Sequence, residues 1–507
     1  MEETATADRS SYNQILKSSA LIGVSTLVNL AIAMVRAKLM AVWLGPAGFG
    51  LMGLYSSIAE LVQTVSGMGI NSSGVRQIAA AVGTGDAARI ALTTVVLRRT
   101  AIALGALGAL LLIAFSRQIS TLTFGSGQHT GSVRLLSVAV FFSCLSSGQA
   151  ALLQGSRRLS DLVKMGILGA AAGLIITIPL VYSLREHGIV PSMLCGAAVS
   201  LAASWWYSRK IKVAKVSLKL DQTAGEAAAL LQLGFALMAS GLMTTAASYA
   251  IRVFVLRKVG FEAAGLYQSA WTLGGTYVGI ILGAMGADFY PRLTAAATDN
   301  VACNRLVNEQ TLVGTLLAGP GVTATLSLAP LVLTLLYSPR FQQAVDVLRW
   351  LSLGMSLRVI SWPMGFIMAA KGARSLLFWS ELAWTTVYIA LAWACVNAFG
   401  LNGAGIAFFV SYILHVLIVY LIVRRLSGFR WSGSSLKAAL IFVFAIAVVF
   451  CAFYALSAPW ALAIGIFSVI AISIYSVRVL LGLVSLNIVP APVLRVLTVF
   501  RLVGAAK

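Results

Sequence analysis

The chain has 507 residues, of which 59% are hydrophobic and 10% charged, with a mean hydropathy of +0.92. A soluble domain carries roughly 25% charged residues, so this composition excludes an ordinary soluble protein and indicates one embedded in a membrane. The excess of 22 positive charges lies in short clusters between apolar runs. It therefore points to membrane topology rather than to a nucleic-acid-binding face.

The N-terminal "MEETATADRSSYNQ" is polar and mixed in charge, unlike the basic start of a secretory signal, which places the N-terminus in the cytoplasm. Apolar stretches of about 20 residues or more, the length a bilayer requires, recur from Ile15 onward. They predict an all-α polytopic membrane protein of about fourteen transmembrane helices, at 15–44, 48–75, 90–115, 132–154, 160–184, 189–207, 226–256, 263–290, 307–336, 343–370, 376–399, 402–423, 434–456 and 459–483. With the N-terminus inside, the even-numbered connections and both termini hold 26 of the 37 Lys and Arg, and the odd-numbered connections hold five. That asymmetry obeys the positive-inside rule.

The five cysteines are scattered without C-x-x-C spacing, and His129, His187 and His415 stand alone, so neither a disulfide framework nor a metal site is expected. No phosphate-binding G-x-x-x-x-G-K-[ST] loop occurs, and no cofactor is expected beyond a coupling proton or sodium ion.

An internal repeat runs through the chain. "LGPAGFGL" (44–51) matches "VGFEAAGL" (259–266) at an offset of 215, "QGSRRL" (154–159) matches "KGARSL" (371–376) at 217, and "HGIVPSMLCG" (187–196) pairs with "FGLNGAGIAF" (399–408) at 212. Six helices per copy give both copies the same orientation. The expected organisation is an N-terminal lobe at 1–210, a cytoplasmic linker at 211–225, a C-terminal lobe at 226–426, and two further helices with a cytoplasmic tail at 427–507. Two such lobes around a central cavity suit alternating access.

Charges inside the spans mark the candidate site, because an ionised side chain at a helix centre costs about 2.5–3.5 kcal/mol on insertion scales. Arg36 and Arg252 lie nine and eight residues before the matched glycines, in the outer third of their helices. Arg358 lies near the middle of its helix and Arg134 near an outer end. Guanidinium groups converging on one cavity would bind a phosphate-bearing anion; snorkelling to the interface is the competing explanation for Lys38, Arg134 and Arg349. Glu60, Glu381 and Asp288 are candidates for ion coupling or charge compensation, although Asp288 with Arg292 at i,i+4 also reads as an interfacial pair. Asn71 and Gln149 are candidates for sugar hydroxyls or for helix packing, with packing the default. Pro179, Pro320, Pro330 and Pro363 are expected to kink their helices.

The runs "RAKLMAVWLGPAGFGLMGLYSSI", "GINSSGVRQIA", "GADFYPRLTAAATD" and "AAKGARSLLFWSELAW" resemble the polysaccharide transporter branch of the multidrug/oligosaccharidyl-lipid/polysaccharide (MOP) exporter superfamily. The likeness is strongest to Wzx-type O-antigen and enterobacterial common antigen translocases, and it spans residues 15 to about 426. It implies a flippase, not an enzyme, in the bacterial inner membrane with both termini cytoplasmic. The implied cargo is an undecaprenyl-pyrophosphate-linked oligosaccharide moved from the cytoplasmic to the periplasmic leaflet. It also implies a function for the cation at Lys38 and a basic residue at Arg76. The implied partners are the polyprenyl-pyrophosphate-linked glycan, membrane lipids, a polysaccharide polymerase and a chain-length regulator, without nucleic acid, around a monomeric transporter unit. A peptidoglycan-precursor flippase would need the same anion site. A drug/cation antiporter would need an acid-rich cleft, and a membrane glycosyltransferase or polymerase would need large loops with catalytic carboxylates; the connections near 208–225 and 291–306 hold few acids.

Overall fold

The structure is a computed structural model that describes residues 2–211 and 220–483. Twelve of the fourteen segments expected to be helical fall on unbroken helical stretches; 48–75 is interrupted at 68–69 and 307–336 at 328. The chain is built from α1 (Glu2–Gly67), α2 (Ile70–Thr84), α3 (Ala87–Ala114), α4 (Ser116–Phe124), α5 (Thr130–Gly155), α6 (Leu159–Leu184), α7 (Ile189–Ser208), α8 (Leu220–Val259), α9 (Phe261–Ala295), α10 (Asn300–Ser327), α11 (Ala329–Leu336), α12 (Val345–Ala370), α13 (Arg374–Phe399), α14 (Leu401–Ser427), α15 (Gly433–Ala455) and α16 (Ala458–Leu483). It is a multi-pass membrane protein. Among the described residues, nine helical stretches are long and apolar enough to cross a membrane, or eleven when each of two bent pairs is taken as one span. Two of the nine, Gly23–Gly67 and Leu159–Ser208, run for 45 and 50 residues, each enough for two crossings of about 20 residues.

Local chemistry sets the breaks. α1 is interrupted at Gly45, whose φ of 65° and ψ of −174° lie outside helical space just before Pro46; glycine alone adopts such angles without a Cβ clash. Asp86 and Asp299 cap α3 and α10, accepting from Ala88 N at 2.8 Å and from Val301 N and Ala302 N at 2.8 and 3.1 Å. These bonds satisfy amide donors that a helix start leaves open.

Two expectations need correction. The helix expected at 307–336 breaks at Leu328, where α10 and α11 meet at 83°, so Pro330 opens α11 instead of kinking a continuous helix. Pro at the first turn is favoured because its missing N–H would have no intrahelical partner there.

The chain divides into two compact units between Gly265 and Leu266. In the first, α5 packs against α3 and α7, α7 against α6, and α8 lies along α1, α2 and α3. In the second, α12 packs against α10 and α14, α14 against α13, and α15 and α16 rest on α10. Residues 212–219 of the linker expected at 211–225, and the tail from 484 to 507, lie outside the described residues.

The repeat is visible in backbone detail. Gly45 and Gly260 both take positive φ at helix breaks. Ser156, Arg157 and Arg158 donate to the carbonyls of Leu152, Gln154 and Leu153, and Lys371, Gly372 and Ala373 donate to those of Ile367, Ala369 and Met368. Arg185 (φ 52°, ψ −128°) and Gly400 (φ 58°, ψ −135°) end α6 and α13, donating to Val181 and Val396. All of these pairs are separated by 215 residues. The offsets of 217 and 212 read from residue identity are therefore shifted: Gly372 corresponds to Arg157, not Gly155, and Gly400 corresponds to Arg185, not Gly188.

Candidate functional site

In the first unit, Arg36 is half-buried on α1, about 13 Å before the break at Gly45 at 1.5 Å per residue. It makes no hydrogen bond or ion pair among the described residues, whereas a buried cation is ordinarily paired. Lys38 is half-buried nearby and engaged with its surroundings. Arg252, on α8, is 8% exposed and donates from Nη1 to the Ser248 carbonyl of its own helix at 3.1 Å, with further interactions besides. At the offset of 215 it falls opposite Ala37, so the two arginines are one residue out of register, about 100° apart around an α-helix.

Glu60 and Asn71 come together. They line a cavity of about 330 Å³ with Gln63, Thr64, Ser147 and Met238, drawn from the end of α1, the start of α2, α5 and α8. Gln63 Nε2 donates to Ser147 Oγ at 3.3 Å. Gly69 also lines it, at the turn where Met68 (φ 43°) and Gly69 (φ 64°) lead the chain from α1 into α2; Gly69 there meets the backbone of Gly234, leaving no room for a Cβ. The Glu60 carboxylate has no hydrogen-bond or ion-pair partner among the described residues. Amide, hydroxyl and carboxylate groups at one opening offer both donors and acceptors, the set a sugar surface requires. Gln63 and Ser147 escaped the sequence reading because both residue types are common in helix packing.

In the second unit, Arg358 on α12 acts electrostatically on Glu381 of α13 and on Tyr412 and His415 of α14. Trp384 stands 5.3 Å from the His415 ring and 5.4 Å from Tyr412, centroid to centroid. Trp384 Nε1, Thr385 Oγ1 and His415 Nδ1 are buried without a hydrogen-bond partner among the described residues. Arg358 and Glu381 are half-buried with no ion pair within 4.0 Å. Such groups are costly to leave dry. The counterparts at 215 residues are Ser143, Gly166 and Ser200; the charge belongs to one copy of the repeat. His415 therefore does not stand alone, and neither does His129, whose Nδ1 lies 2.9 Å from Tyr55 Oη beside the Phe124 ring.

The remaining candidates are peripheral. Arg134 is exposed and donates from Nε to Ser116 Oγ at 3.2 Å. Asp288 and Arg292 form an exposed i,i+4 ion pair at 3.1 Å. Arg349 is buried, 3.3 Å from Asp346 and stacked 3.8 Å over the Phe453 ring, where it anchors α15.

A family model described as polysaccharide biosynthesis protein matches residues 39–346. The lipid III flippase of Escherichia coli (strain K12) is 23% identical over 426 residues, covering 81% of this chain and 99% of that protein. Among solved structures, an inward-facing multidrug resistance MATE family transporter of the MOP superfamily superposes with a TM-score of 0.67 at 16% identity, over 79% of this chain and 98% of its own. The inward closed conformation of the lipid II flippase MurJ superposes with a TM-score of 0.65 at 15% identity, over 91% and 99%. The fold is thus that of MOP superfamily transporters, and the chain belongs to the polysaccharide biosynthesis protein family.

Proposed function

We propose that the chain is a flippase for a lipid-linked oligosaccharide, carrying an undecaprenyl-pyrophosphate-linked repeat unit of O-antigen or a related surface polysaccharide from the cytoplasmic to the periplasmic leaflet of the bacterial inner membrane. The observation that carries this reading is Arg36, a half-buried guanidinium in an apolar span without a hydrogen-bond or ion-pair partner among the described residues. A diphosphate supplies the missing acceptors and the opposite charge. The lipid III flippase relative supports a lipid-linked cargo.

In this reading Arg36, Lys38, Arg252 and Arg358 serve the diphosphate at successive stages of alternating access. The Glu60 and Asn71 cavity receives glycan hydroxyls. Glu381, with His415 beside it, takes up the proton or sodium ion that couples transport to a gradient, and no other cofactor is needed. A lipid II flippase is the second reading, favoured by the superposition on MurJ over 91% of the chain, and it would use the same diphosphate contacts.

Charge reversal tests the proposal in cells. Arg36→Glu abolishes surface polysaccharide while the protein remains inserted, and Arg99→Glu, at an exposed position, leaves it intact. Deletion of the gene causes a lipid-linked oligosaccharide to accumulate on the inner leaflet; accumulation of a peptidoglycan precursor instead would favour the second reading. Normal polysaccharide display with Arg36 reversed would overturn the proposed role.

A further inference from the structure

A second concavity lies in the first unit, apart from the candidate site. A groove of about 530 Å³ runs between α3, α5 and α7, lined by Arg98, Ile102, Phe142, Leu145, Gln149 and Trp205. Its polar groups gather at one end. Arg98 is half-buried and has no hydrogen-bond or ion-pair partner among the described residues. Gln149 Oε1 accepts from Ser208 Oγ at 3.0 Å, which leaves its amide N–H groups free to donate. From Gln149 to Phe142 on α5, and from Trp205 to Ala198 on α7, the walls continue as apolar surface for seven residues, about 10 Å of helix. Ile102 and Trp205 are 49% and 60% exposed, and among the described residues no acidic side chain lines the groove.

The repeat shows what this face requires. In the second unit the equivalents of Gln149, Leu201 and Trp205 are Met364, Val416 and Tyr420, which belong to the same apolar cluster as the fully buried Phe429, with the Tyr420 ring 6.3 Å from it. Phe429 belongs to the segment leading from α14 into α15, which Asn308 holds through Arg430 O at 3.0 Å and Ser432 N at 2.7 Å. α3 and α10, capped by Asp86 and Asp299, stand 213 residues apart, so Thr315 is the equivalent of Ile102, and it lines a small cavity together with Ala438 of α15. One copy of the groove is therefore filled by apolar side chains of the protein itself, and the other copy is open with a cation at its end.

We propose that the open groove holds an anionic glycerophospholipid, with an acyl chain along Phe142, Leu145 and Ala198 and the phosphate against Arg98 and the Gln149 amide. Neighbouring charges select this occupant. Arg98 lines the groove, and Arg209 and Lys210 follow at the end of α7, four and five residues beyond Trp205. A basic protein segment would be repelled there, whereas an anionic head on the basic side of the membrane is attracted. The inference is independent of what the protein transports.

The full-length protein in phosphatidylcholine vesicles, doped with phosphatidylglycerol or phosphatidylcholine bearing a photoreactive group midway along one acyl chain, provides the test. Peptide mapping is expected to find the phosphatidylglycerol probe on α3, α5 and α7 about fivefold more often than the phosphatidylcholine probe, the factor one cation beside an anionic head supplies. Arg98→Gln removes that preference, and Ala202→Phe, which fills the groove, removes both signals. Equal labelling by the two probes in the unaltered protein would overturn the proposal without reference to any variant. Displacement of the probe by undecaprenyl phosphate at a ratio where unlabelled phosphatidylglycerol fails to displace it would also overturn it, by assigning the groove to the carrier lipid.

Discussion

Gly50 and Gly265, equivalent positions of the two copies of the repeat, meet backbone to backbone: a Cβ on Gly50 would lie 2.5 Å from Gly265 N, and a Cβ on Gly265 would fall on the Pro46 carbonyl oxygen. The same pair of glycines thus marks the repeat in sequence and permits the closest approach of its two copies within the first unit. Gly265→Ala is expected to lower stability by about 1–3 kcal/mol, the range for overpacking a tight contact. Gly279→Ala, where nothing lies within 4 Å of the added Cβ, is expected to leave the melting temperature in detergent unchanged or raise it.

Arg157 and Gly372 hold equivalent left-handed positions, at φ 55° and 68°. For a residue with a Cβ that conformation costs roughly 1–2 kcal/mol. Gly372→Ala should therefore destabilise by about 1 kcal/mol and Arg157→Gly should stabilise by a similar amount. Thermal unfolding of the two variants side by side checks the opposite signs.

Asn308 is 8% exposed and ties α10 to the segment before α15, donating to Asn304 O and Arg430 O while accepting from Ser432 N. Asn308→Leu leaves the Arg430 carbonyl and the Ser432 amide without their partner; both bonds are part-buried, so the expected loss is about 0.5–1.5 kcal/mol for each. The expected readout is faster tryptic cleavage at Arg424, Arg425 and Arg430, with unchanged cleavage at Arg157 and Arg158.

Arg358 and Glu381 share a half-buried setting with His415. A double-mutant cycle of Arg358→Gln and Glu381→Gln should show coupling of about 1 kcal/mol or more, because removing one charge leaves the other uncompensated. Additive effects on thermal stability would mean that the two groups do not sense one another.

Periodicity and charge were enough to locate the helices, since apolar runs of bilayer length and basic connections have one physical explanation in a chain this apolar. The repeat was legible through Gly45, Gly50, Gly260 and Gly265, but its register at the later turns was not. Arg157 and Arg185 occupy strained backbone positions that residue identity gives no reason to pair with glycines. The break at Leu328 was hidden because α10 and α11 are both apolar on either side of it. Among the candidate residues, Arg36, Glu60 and Glu381 stood out as charges within spans. The grouping of Arg358 with Glu381 and His415 depends on how three separate helices pack, and nothing in linear spacing encodes that.

In the proposed reading Arg36 binds the diphosphate of a lipid-linked glycan during its passage across the membrane. The most direct test of that role is translocation of a fluorescent undecaprenyl-pyrophosphate oligosaccharide in proteoliposomes, read by the fraction protected from an impermeant quencher. Vesicles with the unaltered protein should exchange the lipid between leaflets, and Arg36→Glu should slow exchange by about tenfold or more, the loss expected for a charge-assisted hydrogen bond worth about 1.5–3 kcal/mol. Exchange by Arg36→Glu at the rate of the unaltered protein, or by the unaltered protein at the rate of empty vesicles, would contradict the account.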